Sequence, residues 1–193
     1  PFNPDYNSGD MEGACFFQIT TKNGIRSSTA NTYLKTVAQR SNLCILTGAF
    51  VTSVLFDGKT ATGVSYVRGG KTLIAEAKRE VILCGGAINT PKLLQLSGIG
   101  AAPLLNEMGI PVVIDQPHVG QNLIDHVGLE LIYGAKVPTL NQLLRPLWGK
   151  AWVGLQFLLG RKGPLSMSLN QGGGFVRFDQ GKGTPDIQLY FMP

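Results

Sequence analysis

Residues 81–100 restrict the fold of this chain more than any other stretch. Four consecutive apolar residues, 81–84, predict a strand buried on both faces of a parallel sheet. Two glycines follow as a tight turn, and Thr90 with Pro91 predicts a helix that has proline at its first position and ends at Gly98. A strand, a glycine turn and a helix N-terminus in this order predict a binding place for a phosphate- or nucleotide-bearing cofactor.

The elements around this stretch mix strand and helix. Residues 42–48 predict a short buried strand, and a three-stranded meander follows with turns at Asp57-Gly58 and Gly69-Gly70. After residue 100 the pattern predicts a helix over 101–109 and a strand over 110–115. This order of elements predicts an α/β architecture.

The composition changes near residues 120–126, where a polar loop begins. An amphipathic helical segment follows, broken near Pro146 and ended by Gly160. Strands are predicted over 172–180 and 185–193, joined through a Gly-Lys-Gly turn. The change predicts that the chain enters a second domain at this point.

Composition excludes several classes of protein. The chain has 193 residues, 44% hydrophobic and 15% charged, which is typical of a globular protein. No apolar run reaches the roughly 18 residues that span a bilayer, and the first residues lack the pattern of a signal peptide. The net charge of +5 is spread out rather than clustered among aromatic residues, so we expect no nucleic-acid partner. With no initiator Met, the sequence is expected to be a piece of a larger protein.

Three cysteines, Cys15, Cys44 and Cys84, lack the spacing of metal ligands, and no metal site is predicted. Cys44 and Cys84 lie within predicted apolar strands. Both are therefore expected to be buried free thiols in a reducing compartment, which predicts a cytoplasmic location.

A signature within residues 86–100 resembles the second signature of the glucose–methanol–choline (GMC) family of FAD-dependent oxidoreductases. Its ten specified positions all fit, namely Gly86, Ala87, Thr90, Pro91, Leu93, Leu94, Ser97, Gly98, Ile99 and Gly100. The segments RSSTANTYL and GIPVVIDQPHVGQNLIDH are similar to two further family segments. The chain is similar to bacterial choline-dehydrogenase-like alcohol dehydrogenases, of which it would form the middle portion.

The resemblance implies a fold of class α/β, or α+β overall, with two partial domains. Residues 40–120 would form part of a Rossmann-type FAD-binding domain with its meander and signature helix. Residues 1–39 and 121–193 would form part of a substrate domain built on an antiparallel sheet.

The resemblance also implies the chemistry. Members of the family oxidise an alcohol by hydride transfer to FAD, with a quinone or oxygen as electron acceptor. The glycine-rich pyrophosphate loop and the catalytic histidine of the family have no matching positions here, so no catalytic residue is predicted in this chain. The alternative is a non-catalytic fragment that does not bind FAD alone.

Three residues are implied to contact the cofactor. Val51, at the start of the meander, would contact the adenine through its backbone, and its alternative role is that of an ordinary strand valine. The turn at Cys84 and Gly85 would lie near the adenosine half of FAD, where glycine permits close approach. In the alternative, Gly85 serves only to pack helix against strand.

The two histidines receive structural interpretations. His126 could be read as a general base, but the resemblance places it outside the family's catalytic position. A structural role is therefore favoured, in which Asp125 and Asn122 form hydrogen bonds within the loop. His118, beside Pro117, is expected to be exposed.

Gln171 is the predicted substrate-lining residue. Relatives that act on choline tend to carry Glu just before the Gly-Gly-Phe strand, and a neutral amide lacks the attraction of that carboxylate for a cation. The sequence therefore predicts a neutral alcohol as substrate rather than choline. In the alternative, Gln171 points away from the pocket.

Residues 143–159 form a basic amphipathic helical pattern that contains Trp148 and Trp152. The first interpretation is a helix packed on the substrate domain. The second is a peripheral contact with the inner membrane, which would suit electron delivery to a membrane quinone. The sequence does not predict an oligomeric state.

Overall fold

The computed structural model describes residues 1–168, 170–179 and 183–192. The strands are, in chain order, β1 (Gly13–Phe16), β2 (Thr21–Lys22), β3 (Ile25–Arg26), β4 (Phe50–Asp57), β5 (Thr60–Arg68), β6 (Lys71–Glu76), β7 (Ile99–Gly100), β8 (Ile114–Asp115), β9 (Gly172–Val176) and β10 (Ile187–Phe191). The α-helices are α1 (Lys35–Val37), α2 (Gly86–Leu96), α3 (Ala102–Glu107), α4 (Leu140–Leu144) and α5 (Leu147–Gly160). A π-helical turn, Ala30–Leu34, precedes α1, and a 3₁₀ turn, Pro164–Ser166, follows α5. No helix in these ranges is both long and apolar enough to cross a membrane.

The chain divides into two compact units. Unit 1 comprises Pro1–Leu43 and Leu131–Pro193, and unit 2 comprises Cys44–Glu130. The sequence-based boundaries lie at 39/40 and 120/121. The assignment of these units to substrate and cofactor domains stays a prediction.

Unit 1 contains a three-stranded antiparallel sheet in the order β1-β9-β10. Cys15 of β1 and Phe175 of β9 are its buried apolar residues. Gly173 has no room for a side chain, since a Cβ there would lie 2.7 Å from the ring of Phe17 and would overlap the carbonyl oxygen of Leu189. The glycine run in β9 thus lets the neighbouring strand and ring approach closely. β9 and β10 are shorter than the predicted strands, and part of the predicted Gly-Lys-Gly turn lies outside the described residues.

The helical part of unit 1 follows the predicted break. α4 ends before Pro146, and α5 begins directly after it, because proline cannot continue the hydrogen-bond ladder. α5 ends at Gly160, and Arg161 takes the left-handed conformation at φ 51°. The predicted break and end of the helix are both confirmed.

Unit 2 begins with the predicted meander. β4, β5 and β6 form an antiparallel sheet in that order, and its two turns carry Gly58, Gly69 and Gly70 at positive φ. The register between β4 and β5 shifts twice, once between Val51 and Ser53. Such β-bulges increase the local twist of the strand pair and disrupt its ladder.

The signature helix α2 leads into a small parallel pair. The helix ends at Leu96, and Gly98 reverses the chain at φ +85°, as predicted. A Cβ on Gly98 would lie 2.5 Å from the carbonyl oxygen of Pro111, so this position requires glycine for space as well as for conformation. β7 then pairs with β8 in parallel. The helix α3 connects these two strands, and its residue Leu105 is fully buried.

Two predicted strands are wrong. Residues 42–48 and 81–84 form no strand, and within the described ranges no strand pairs with either segment. An apolar run becomes a strand only where neighbouring strands accept its backbone hydrogen bonds. The burial of two cysteines is wrong for the same reason, since Cys44 and Cys84 are exposed. The strand predicted over 110–115 is limited to the two residues of β8, because its partner β7 is itself only two residues long.

The position of Pro91 also differs from the prediction. α2 begins at Gly86, so Pro91 lies inside the helix rather than at its first position. The two glycines of the turn therefore divide between the N-cap and the first helical residue. Pro91 removes one helical hydrogen bond, and the helix continues for five residues beyond it.

Candidate functional site

Val51 lies on an edge strand. β4 is the first strand of the meander, so one side of its backbone has no neighbouring strand among the residues described. Val51 is half-buried, pairs with Tyr66 across the ladder and directly precedes the bulge. Unpaired N–H and C=O groups of an edge strand can form hydrogen bonds with the edge of a base.

Cys84 and Gly85 lie at the beginning of α2, and both are exposed. Gly85 is the N-cap, and its N–H donates a 3.0 Å hydrogen bond to Oγ1 of Thr90. A Cβ on Gly85 would lie 3.2 Å from the backbone nitrogen of Thr90, which is tighter than ordinary contact. The three nearest atoms to that Cβ all belong to Asn89 and Thr90 of α2.

The N-terminus of α2 is favourable for an anion. Its first turn carries no acidic side chain, and the first amide groups of a helix lack intrahelical acceptors. Together with the helix dipole, these amides attract negative charge. The nearby Lys92 adds a positive side chain on the same helix.

Ser97 connects the two predicted cofactor segments. Its buried hydroxyl donates to the carbonyl oxygen of Leu93 at 2.6 Å and accepts the N–H of Val54 at 2.8 Å. The C-terminal end of α2 is thereby fixed to β4, three residues beyond Val51. Val51, Cys84 and Gly85 lie in the same unit, and Ser97, which the sequence singled out only as part of the signature, fixes the opposite end of α2 from Cys84 and Gly85.

A cavity of about 530 Å³ lies between α2 and the loop that follows Val119. It is lined by Ala87, Ile88, Pro91, Lys92, Gln95, Gly120, Gln121, Asn122, Leu123 and Ile124. Gln95 closes one side, because its Nε2 donates to the carbonyl oxygen of Val119 at 3.1 Å. Sequence reasoning missed Gln95, and its only signal was a polar residue between Leu94 and Leu96.

The two histidines are exposed, and for His118 this confirms the prediction. The backbone N–H of His126 donates to Oδ1 of Asp125 at 2.8 Å, a contact that shapes the loop locally. Asn122 adopts the left-handed conformation at φ 57°, and its predicted hydrogen bond in the loop stays a prediction.

Gln171 lies in unit 1, directly before β9, and is half-buried. Its backbone carbonyl accepts the N–H of Phe17 at 3.1 Å, which extends the pairing of β9 with β1. Four aromatic rings pack together beside this point, with centroids 5.3 to 6.3 Å apart: Tyr6, Phe17, Phe175 and Tyr190. Glu12 and Arg177 form an ion pair at 3.6 Å in the same sheet region.

The residues of unit 2 fit the nucleotide half of a flavin cofactor. An edge strand with free backbone groups suits a base, and a helix N-terminus without acidic residues suits a phosphate. Exposed Gly85 leaves its backbone accessible. In the described part of the chain, no group of three His, Cys, Asp or Glu side chains could hold a metal ion.

Comparisons with known proteins agree with this geometry. A family model described as GMC oxidoreductase matches residues 1–128. The whole chain is 40% identical to an oxygen-dependent choline dehydrogenase of Burkholderia cenocepacia (strain HI2424), of which it covers 34%. The chain therefore belongs to the GMC oxidoreductase family.

Solved structures give the same result. An FAD-dependent oxidoreductase from Chaetomium thermophilum matches 92% of the chain with a TM-score of 0.79 and 32% identity, over 32% of its own chain. A formate oxidase variant from Aspergillus oryzae RIB40 matches the whole chain with a TM-score of 0.84 and 28% identity, over 37% of its own chain. The present chain thus spans about a third of the length of its relatives.

These findings confirm the predicted family and its cofactor class, FAD. They also confirm the mixed helix and strand fold with antiparallel sheets.

Proposed function

We propose that this chain is part of a flavin-dependent enzyme that oxidises a neutral alcohol to an aldehyde. The observation that carries the proposal is the 40% identity, over the whole chain, to a choline dehydrogenase. When bound, FAD supplies the hydride acceptor for alcohol oxidation. The electron acceptor of the complete enzyme would be oxygen or a quinone.

Unit 2 would hold the adenosine half of FAD. The backbone of Val51 would form hydrogen bonds with the adenine edge, on the side of β4 that no described strand covers. The first amides of α2 would approach an anionic group of the cofactor, and Gly85 would permit that approach because it has no side chain. The two hydrogen bonds of the Ser97 hydroxyl would hold the C-terminal end of α2 against β4.

The preference for a neutral alcohol rests on charge. Gln171 is an uncharged amide, and residues 131–178 contain no Asp or Glu at all. Glu12 in the same sheet region is already paired with Arg177. A cationic substrate would therefore find little free negative charge in this part of unit 1.

Choline is the second candidate substrate. The name of the Burkholderia relative favours it, and aromatic faces such as those beside Gln171 bind quaternary ammonium groups. The rings of this cluster pack against one another, two pairs of them edge to face, and Phe175 is buried, whereas Tyr190 is 54% exposed and is the ring that a cation could reach.

The Gln171→Glu variant of the complete enzyme tests the choice. A new carboxylate beside a bound cation contributes on the order of 1 kcal/mol, so kcat/KM for choline should rise about fivefold to tenfold. Values for aliphatic alcohols should stay constant or fall. Gln142→Glu, which adds the same charge at an exposed position of α4, is the matched control.

The possible outcomes distinguish a wrong substrate assignment from a wrong assignment of the reaction. Unchanged activity on choline with full activity on aliphatic alcohols would remove Gln171 from the specificity argument. Failure of every alcohol to reduce the enzyme-bound flavin anaerobically would contradict the proposed reaction itself. Oxygen uptake, compared with reduction of a soluble quinone, would identify the electron acceptor.

A further inference from the structure

The first β-bulge of the meander determines which backbone groups β4 presents at its open edge, the side that no described strand covers. Val51 of β4 lies opposite Tyr66 of β5. The next pair along the two strands is Ser53 with Ser65, so Thr52 is an extra residue on the β4 side. An extra residue changes the alternation of one strand relative to the other. The bulge therefore decides on which side of β4 the N–H and C=O groups of Val51 lie.

The hydrogen bond to Ser97 fixes the direction of these groups. The N–H of Val54 donates to Oγ of Ser97 at 2.8 Å, so it points away from β5. β5 is regular here, since it pairs with consecutive residues of β6, and its backbone groups alternate between β4 and β6. Val64, opposite Val54, therefore directs its groups to β6. Tyr66, two residues further on, does the same, so the N–H and C=O of Val51 point to the open edge of β4.

A regular ladder would arrange the same residues differently. Without the bulge, Thr52 would lie opposite Tyr66, and Val51 would move one pair along to lie opposite Val67. The alternation would then turn the N–H and C=O of Val51 toward β5 and place those of Thr52 at the open edge. The backbone of Val51 is thus accessible to a ligand only in the bulged register.

The side chain of Thr52 stabilises the bulge. Its Oγ1 donates to the carbonyl oxygen of Ser65 at 3.2 Å and lies 3.3 Å from Oγ of the same residue. Ser65 is the residue of β5 that faces the bulge, and Thr52 is half-buried, so water replaces this hydrogen bond only in part. Valine has the same branching at Cβ but no hydroxyl, which makes Thr52→Val a selective change.

We propose that Thr52 is a positioning residue for the cofactor, because its hydroxyl keeps the bulge that turns the backbone of Val51 toward the adenine of FAD. The inference rests on the proposed function, in which Val51 contacts the adenine edge. That edge offers an amino donor beside a ring-nitrogen acceptor, which matches the C=O and N–H of one residue. The end of α2 already occupies the open edge at Val54, so a further strand of ordinary length has no continuous edge to pair with.

Titration of the flavin-free form of the complete enzyme with two cofactors tests the proposal. The second cofactor is the FAD analogue in which hypoxanthine replaces adenine, so that a carbonyl acceptor stands in place of the amino donor. Wild type should bind FAD at least roughly tenfold more tightly, because the C=O of Val51 would face another acceptor in the analogue. Thr52→Val should weaken FAD binding about tenfold and reduce the preference for FAD to about twofold. Thr52→Ser keeps the hydroxyl and should restore the wild-type preference.

Thr72→Val is the matched control for this titration. Thr72 is an exposed strand residue of the same meander, and it lies in β6, away from the bulge. Both affinities of this variant should stay within about twofold of the wild-type values.

Hydrogen exchange resolved to single amides gives a second measurement. In the flavin-free wild type, the amide of Val51 should exchange faster than that of Ser53, because only the Ser53 amide points toward β5. FAD should slow exchange at Val51 at least about tenfold, and the hypoxanthine analogue should slow it less. In flavin-free Thr52→Val, exchange at Val51 should be slower than in wild type, since the regular ladder turns this N–H toward β5.

The outcomes separate this inference from the proposed function. A Thr52→Val variant that keeps the wild-type preference for FAD would overturn the role of Thr52 and leave the proposed function intact. Equal binding of both cofactors by wild type, or a Val51 amide that FAD does not protect, would overturn the inference together with the adenine contact of Val51. A Val51 amide that is already protected in the flavin-free wild type would assign the open edge to another segment of the polypeptide. A complete enzyme that binds no FAD would contradict the proposed function itself.

Discussion

The buried hydroxyl of Ser97 gives the most direct test of how unit 2 is held together. The Ser97→Ala variant removes the acceptor of the Val54 N–H, and this buried amide is then left without a partner. The carbonyl oxygen of Leu93 loses one donor but keeps the backbone N–H of residue 97 at 3.1 Å. The dominant cost is therefore one unsatisfied buried N–H, which is about 1–3 kcal/mol.

Hydrogen exchange measures this cost at the site itself. Loss of about 2 kcal/mol raises the exchange rate of the Val54 amide about 30-fold when exchange requires opening of unit 2. Peptides from β4, residues 50–57, are suitable for the comparison by mass spectrometry. Tryptophan fluorescence would not serve, because both tryptophans of the chain belong to unit 1.

Ser8→Ala is the control for this experiment. The Ser8 hydroxyl donates to the carbonyl oxygen of Asp5 at 2.7 Å in an exposed loop, where water can replace it. We expect a change within about 0.5 kcal/mol and no effect on β4. If Ser97→Ala leaves exchange of β4 as slow as Ser8→Ala does, the bridge does not connect α2 to the meander in the way described.

Two further predictions concern space and exposure. Gly98→Ala should lower the free energy of unfolding by at least about 2 kcal/mol more than Gly58→Ala, because only the first adds a backbone clash to a positive φ. Equal losses in urea titrations would contradict this. In the isolated chain, Cys44 and Cys84 should react quickly with a thiol reagent, whereas Cys15 reacts slowly since burial raises the pKa of its thiol. Three equally fast thiols would refute the burial of Cys15.

Turns and helix ends could be predicted because they depend on local backbone geometry. The reversals at Gly58, Gly69 and Gly98 follow from positive φ, which glycine adopts at little cost. The break before α5 follows equally from the fixed ring of Pro146. Glycine and proline constrain the backbone only within a few positions of themselves, so the local sequence is sufficient to predict these turns and helix ends.

The failures concern partners distant along the chain. The apolar run at 81–84 correctly indicates an affinity for buried surroundings, but pairing depends on strands that no local pattern identifies. The exposure of Cys44 likewise depends on which elements pack beside it, and the local sequence does not identify those elements. The site shows the same division, because the signature located the N-terminus of α2 but gave no sign that Gln95 would hold the loop after Val119.

The antiparallel sheet of unit 1 has a consequence for synthesis on the ribosome. Apart from one bridge between Phe2 and Ala14, β9 is the strand that β1 pairs with among the described residues, and roughly 150 residues separate β1 from β9 along the chain. At about 5–20 residues per second, β1 emerges some 8–30 seconds before its partner exists. The whole of unit 2 is translated during that interval and can fold first. The edge of nascent β1 that pairs with β9 therefore stays unpaired until β9 is synthesised. During this interval, chaperones that bind extended apolar segments can bind β1.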